Sequence, residues 1–230
     1  MEEQRRYRHE LKYNISYADY LSLRMRLRQV MQPDPNVNAD GKYLIRSIYF
    51  DNYRDKALRE KINGAAKREK FRIRYYNDDL SFLTLEKKMK VNDLCMKIDA
   101  PVTLEECRKL LSGERSWMLD HAEPLVKELY VKMKSDMLRP RIMVSYTREP
   151  YIYRAGNVRI TFDSNIRSTL YHQSFLEPVS ADVNVEDSPG RMILEVKFDD
   201  FLPEIIAHLI QTNGCRQEAF SKYGACRRFG

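Results

Sequence analysis

Glycine is scarce in this 230-residue chain, with eight in all, and neither GxGxxG nor GxxxxGK[ST] occurs. Dinucleotide-binding and P-loop proteins cradle phosphate with closely spaced glycines, so both classes are excluded. The four cysteines (Cys95, Cys107, Cys215 and Cys226) are scattered, form no CxxC pair and have no histidine at zinc-ligand spacing. They read as reduced thiols. No apolar run reaches 18 residues, and the N-terminal MEEQRRYRHELKY is charged rather than signal-like. A cytoplasmic protein without a transmembrane segment is therefore expected. Internal repeats and low-complexity tracts are missing as well, and the single tryptophan, Trp117, belongs to no nucleic-acid stacking pattern.

What remains is a composition of 43% hydrophobic and 32% charged residues, which fits one globular domain over residues 1–230. The net charge of +7 favours a polyanionic partner: nucleic acid, an acidic membrane surface or a phosphorylated ligand.

Hydrophobic periodicity places strands at 5–13, 42–50, 67–76, 80–90, about 94–98, 141–148, 151–154, 157–163, 166–171 and 191–198. Helices are expected at 16–31, 52–63, 103–112, 116–138, 203–212 and 215–227, with polar loops at 33–41 and 177–190. Ser16 with Asp19, and Thr103 with Glu106, carry the capping-box spacing. Short turns between neighbouring strands, such as Asn77-Asp78-Asp79, indicate an antiparallel α+β fold.

The charged residues fall on one face of each strand. Lys70, Arg72 and Arg74 lie opposite Phe71, Ile73 and Tyr75; Glu86, Lys88 and Lys90 lie opposite Leu83, Leu85 and Met89. Glu10 and Lys12, Arg159 and Asp163, and Glu195 and Lys197 repeat the pattern. An open sheet with one solvated face accounts for this, and so does a sheet closed into a barrel of about eight strands with a polar interior and helices outside. Two features favour closure. The triplet Glu-x-Lys recurs at Glu10–Lys12, Glu86–Lys88 and Glu195–Lys197, where the carboxylate can orient the ammonium or hold a metal. Arg72, Arg74, Arg148 and Arg159 sit in well-patterned strands, and guanidinium forks grip phosphate oxygens. So many cations in one cavity require an anion, so a closed tunnel implies a polyphosphate ligand.

The ordered set RHELKY, SIYFDN, REKFRIRYY, TLEKKMK, VSYTREPY, VRITFD, LEVKF and FSKYGACR resembles the VTC domain. This is the polyphosphate polymerase domain of the triphosphate tunnel metalloenzyme, or CYTH-like, group. The resemblance implies a basic tunnel in which Arg72, Arg74, Lys88, Arg148 and Arg159 act on the phosphoryl group. Lys12, Lys97, Tyr146, Lys197, Ser221 and Lys222 would bind phosphate. Glu195 would hold Mn2+ or Mg2+, helped by Glu10 and Glu86, which otherwise orient lysines. ATP is the implied donor, and inorganic phosphate or polyphosphate the acceptor. Ala219 stands where the family has a further lysine, which leaves one end of the tunnel less basic. Neither the family's SPX domain nor its membrane helices fall within this sequence, so synthesis coupled to translocation is not expected of this chain alone.

Two other outcomes stay open: a metal-dependent tri- or polyphosphatase, and a non-catalytic module binding polyphosphate or RNA. Asp163 is placed either to bind metal or to fix Arg159, and the second role is the one expected. The tyrosines read as core, the four histidines carry no partner pattern, and the basic helix at 16–31 covers the sheet or meets a membrane or protein partner.

Overall fold

The computed structural model describes residues 7–170, 172–177, 183–185, 190–212 and 216–227. Eight long strands form a closed antiparallel ring. They are β1 (Arg8–Ile15), β3 (Tyr43–Asp51), β4 (Lys67–Tyr76), β5 (Asp79–Val91), β6 (Leu94–Val102), β7 (Arg139–Tyr153), β8 (Val158–Thr169) and β10 (Met192–Phe198). The order around the ring is β7-β3-β4-β5-β6-β1-β10-β8, and β8 pairs back onto β7. Three two-residue strands decorate it: β2 (Gln32–Pro33) on β7, β9 (Val183–Asn184) on β8 and β11 (Arg216–Gln217) on β1. Helices α1 (Tyr17–Arg28), α2 (Lys56–Ile62), α3 (Leu104–Ser112), α4 (Pro124–Ser135), α5 (Glu204–Leu209) and α6 (Lys222–Cys226) complete the α+β fold.

Strand alternation sets the two faces of the ring. Phe71, Ile73, Tyr75, Leu83 and Leu85 point outward into a core covered by α3 and α4. Val158, Ile160, Phe162, Leu194 and Val196 do the same beneath α1 and α5. The charged sets therefore point inward, which selects the closed arrangement. A third cluster lies inside: Ile45, Tyr49, Ile142, Val144 and Ile193 meet Tyr223 and Cys226 of α6. Helix α6 thus plugs one end of the ring, and the interior is part apolar core and part charged tunnel.

Both capping boxes form, Ser16 with Asp19 and Thr103 with Glu106. The β4–β5 turn has positive φ at Asn77 and Asp78 (51° and 57°), the twist-matched geometry of a two-residue hairpin.

Several element boundaries differ from the expectation. The paired segments at 141–148 and 151–154 are one strand, β7, because Pro150 stays extended and its carbonyl accepts from the Asp34 amide. The segments at 157–163 and 166–171 are likewise one strand, β8, which absorbs an extra residue at a bulge around Asn165 (φ 52°). The helix expected over 116–138 splits into a 3-10 turn at Ser116–Leu119 and α4, which starts at Pro124 because proline favours the first helical turn. The helix at 52–63 begins only at Lys56; before it, the Asp51 and Asn52 side chains accept backbone amides. Of the helix at 215–227 only α6 forms, since the preceding residues pair with β1 instead. The helix at 203–212 shortens to α5, and the short segment at 94–98 extends to Val102. Residues 5–6 of the first expected strand, Tyr171, Cys215 and most of the 177–190 loop lie outside the described residues.

Candidate functional site

Two cavities open into the ring, of about 670 and 470 Å3. Both are of the size that holds small ligands. Glu10 and Lys88 line both, and their side chains form an ion pair, so the two chambers meet there. The larger chamber is lined by eight arginine and lysine side chains against three carboxylates. Among those eight are Arg72, Arg74, Lys88, Lys97, Arg148, Arg159 and Lys197. The smaller chamber gathers Lys12, Lys88 and Ser221. Tyr146, Glu86, Glu195 and Lys222 lie buried beneath these linings.

Each arginine is held in a fixed pose. Glu86, 2% exposed, accepts from Arg72 Nε at 2.5 Å and from Arg74 at 3.4 Å. Burial opposes its ionisation, yet Arg72, Arg74 and Lys97 together hold the carboxyl well below its usual range. Asp163, fully buried, takes Arg148 as a bidentate fork at 2.6 and 2.7 Å and also pairs with Lys222. The expected Asp163–Arg159 pair is therefore replaced. Arg159 donates instead to Asp34 (2.6 Å), delivered by the loop after β2. Asp163 and Arg159 share a strand face but lie four residues apart, and neighbouring elements supply nearer partners to each: β7 and α6 to Asp163, the loop after β2 to Arg159.

Four tyrosines turn their hydroxyls to the arginines: Tyr43, Tyr49 and Tyr76, which read from the sequence as core, and Tyr146, which the resemblance placed among the phosphate-binding residues. Tyr49 accepts from Arg72 (2.9 Å), Tyr146 and Tyr76 from Arg74 (3.1 and 3.4 Å), and Tyr43 from Arg159 (2.7 Å). Their rings are buried or half-buried while the phenols serve the tunnel. The Ser221 hydroxyl caps α6 by accepting from the Gly224 amide, and the Tyr146 ring faces the Lys222 ammonium at 4.6 Å.

Lysines and glutamates interleave where the chambers meet. Lys12 pairs with Glu10 (2.9 Å) and Glu195 (3.5 Å), and Lys197 with Glu195 (2.6 Å) and Glu10 (3.9 Å). Lys97 lies between Asp99 (2.5 Å) and Glu86 (3.5 Å). Burial resists charge on Glu10 and Glu195, but the surrounding cations keep both well below the normal carboxylate range. The same burial lowers Lys197 to about 8 despite its two carboxylates, and Lys70 to about 7.

Among the described residues, no group of three His, Cys, Asp or Glu side chains converges as a ready metal cage. Glu10 and Glu195 share two lysines, however, and the Thr161 hydroxyl, register partner of Glu195, is buried without a hydrogen-bond partner. Magnesium-type cations use one or two carboxylates and fill their remaining positions from water and phosphate. That donor set fits Glu195, Glu10 and Thr161; Glu86 is committed to its arginines.

Sequence reasoning put Lys70 on the charged face but gave it no role, and it missed Asp34, Tyr43, Tyr49, Tyr76 and Thr161. Alternation along β3 and β8 was the available signal for Tyr43, Tyr49 and Thr161. Nothing local marked Asp34. Ala219 does line the smaller chamber, but Lys61, Arg68, Lys70 and Lys90 keep that end basic.

A closed antiparallel ring enclosing a basic cavity defines a triphosphate-tunnel fold. The VTC domain family model matches residues 7–229, and the chain belongs to that family. No curated protein matches it in sequence. Among solved structures, a putative adenylyl cyclase from Hippeastrum, described as having a dominant triphosphatase activity, is 11% identical. The match covers 97% of this chain and 95% of that one, with a TM-score of 0.56. A putative adenylate cyclase from Bacillus halodurans is 14% identical over 90% and 87% of the two chains, at a TM-score of 0.51. A protein from Pyrococcus horikoshii OT3 is 15% identical over 97% and 100%, at 0.50. At such identities the likeness is one of fold. Among the described residues, no helix is long and apolar enough to cross a membrane.

Proposed function

We propose that residues 1–230 act as one domain that transfers a phosphoryl group from ATP to phosphate or a growing polyphosphate chain. The observation that carries this reading is the larger chamber, with eight cations to three carboxylates and every arginine held in place from behind. Phosphoryl transfer asks the protein for alignment and charge neutralisation rather than covalent chemistry. Arg72, Arg74, Arg148 and Arg159 bind the triphosphate, and their partners Glu86, Asp163 and Asp34 fix the forks in advance. Lys88, Lys97 and Lys197 neutralise the phosphates between the forks. Lys12 extends this path into the smaller chamber, where Ser221 lies. Lys222, tied to Asp163, steadies Arg148, and Tyr146 steadies Arg74. Helix α6 closes one end of the apolar interior, and its Tyr223 lines the smaller chamber.

Glu195, with Glu10 and Thr161, would hold Mn2+ or Mg2+, which when bound supplies further charge neutralisation at the phosphate oxygens. Membership of the VTC family supports a triphosphate ligand. The RNA-binding alternative needs an open basic face, whereas here the charged sets of the ring strands face inward.

Incubation with ATP and Mn2+, with polyphosphate stained on a gel alongside assays for ADP and free phosphate, tests the reading. Chains with ADP are expected. Arg72→Ala combined with Arg74→Ala should lower turnover at least 100-fold. Free phosphate without chains would convert the assignment to a triphosphatase, and polyphosphate binding without turnover would leave a binding module.

A further inference from the structure

The basic side chains assigned above all have a carboxylate partner: Glu86 for Arg72 and Arg74, Asp163 for Arg148 and Lys222, Asp34 for Arg159, and Glu10, Glu195 or Asp99 for the remaining lysines. Lys70 does not. Among the described residues it forms no ion pair, and its recorded close partner is the ring of Tyr49 at 5.4 Å. In the sheet register Lys70 lies directly opposite Lys88, and Lys88 directly opposite Lys97, so three lysines form a row across β4, β5 and β6 on the inner face. Like charges placed directly opposite one another destabilise a sheet. Glu10 offsets Lys88, and Asp99 with Glu86 offsets Lys97, which leaves Lys70 as the member of the row with no carboxylate in ion-pair range among the described residues. The row also spans both chambers: Lys70 lines the smaller, Lys97 the larger, and Lys88 both.

Resting on the phosphotransfer reading, we propose that the smaller chamber is an acceptor subsite in which Lys70 binds the phosphate group that receives the transferred phosphoryl. Its ligand is orthophosphate or the end of a polyphosphate chain, which present the same tetrahedral oxyanion. Lys88 bridges from this group to the donor side. Lys70 is faced by Tyr49 of β3, Arg72 of its own strand, Lys88 of β5, Lys12 of β1, Lys61 of α2 and Tyr223 of α6. Glu10, Asp51, Glu60, Glu69, Asp93, Asp136 and Glu218 share the surrounding linings, and none forms an ion pair with it among the described residues. Burial and the neighbouring cations hold the free ammonium down to about 7. An oxyanion beside it restores the charge, so binding near pH 7.5 takes up protons.

The test is calorimetric titration of the intact protein with tripolyphosphate, orthophosphate and ATP in two buffers of different ionisation enthalpy. Lys70→Met should weaken tripolyphosphate or orthophosphate binding at least 10-fold and reduce proton uptake. Lys70→Arg should keep the affinity within about 3-fold but also reduce uptake, because a guanidinium is charged with or without the anion. This conservative variant separates loss of charge from loss of fold. Weakened orthophosphate binding assigns free phosphate to the subsite; an effect confined to tripolyphosphate assigns the chain end. Unchanged binding of both by Lys70→Met overturns the subsite alone. A wild-type protein that binds neither ATP nor tripolyphosphate overturns the phosphotransfer reading and the subsite with it.

Discussion

Asp163 has no exposed surface, yet it neutralises two cations, Arg148 from β7 and Lys222 from the plug helix. Removing one partner of a buried pair leaves charge uncompensated and costs about 3–5 kcal/mol. Asp163→Asn should therefore lower the unfolding free energy extrapolated from urea titration by an amount in that range, with a matching fall in the midpoint. Tripolyphosphate, which can neutralise Arg148 in its place, should raise the midpoint of the variant more than that of the wild type. Equal shifts would mean that Arg148 does not face the ligand. The other carboxylates set the acid limit of the fold. Glu10, Glu86 and Glu195 titrate below their ordinary value of 4.5 in the folded protein, so the unfolded chain binds their protons first. Their stabilisation is complete above that value and is lost as pH falls through it towards the folded values. Thermal melting between pH 7 and pH 3 should show a steep loss below about 4.5, and Glu86→Gln should shift the acid limb.

At the scale of elements, each strand serves two environments, because its residues alternate between helix-covered exterior and tunnel. Helix α1 is attached through both kinds of contact. Leu23 and Leu27 have no exposed surface against the outer faces of β8 and β10. Beside them the buried Glu149 of β7 accepts from the Tyr20 hydroxyl and Arg24, each at 2.6 Å. Leu23→Ala should cost about 2–5 kcal/mol through lost burial and the cavity left behind. Because Leu23 lies on the far side of the sheet from the tunnel, tripolyphosphate affinity of the folded fraction should stay within about 2-fold. Titration of the variant well below its melting temperature checks this. The strand faces, the capping boxes and the β4–β5 turn were legible in the sequence, since each depends on residues a few positions apart. The break at Ser221 and the continuity of β7 through Pro150 were not, because pairing with a distant strand outweighed the local pattern; the break at Pro124 was locally marked, since proline opens α4 at its first turn.

For the whole molecule, closure is the deciding event. Among the described residues, β1 and β6 meet through two register pairs, Arg8 with Cys95 and His9 with Leu94, and the Glu10–Lys88 ion pair adjoins that seam. Once the ring closes, the cations are held in a confined low-dielectric space where an anion gains far more than on a solvated face. Period-two alternation determined that this chain would have one basic and one apolar face per strand, and composition determined that the basic faces would need an anion. Alternation is symmetric, however, and cannot say which face turns inward. Only the tertiary structure decided that, because the apolar faces found helices to bury against outside the ring. Tertiary pairing then chose the ion partners, giving Asp163 to Arg148, Asp34 to Arg159 and, among the described residues, none to Lys70. Those choices depend on residues distant in the chain meeting at distances of a few ångströms, which local sequence pattern does not encode.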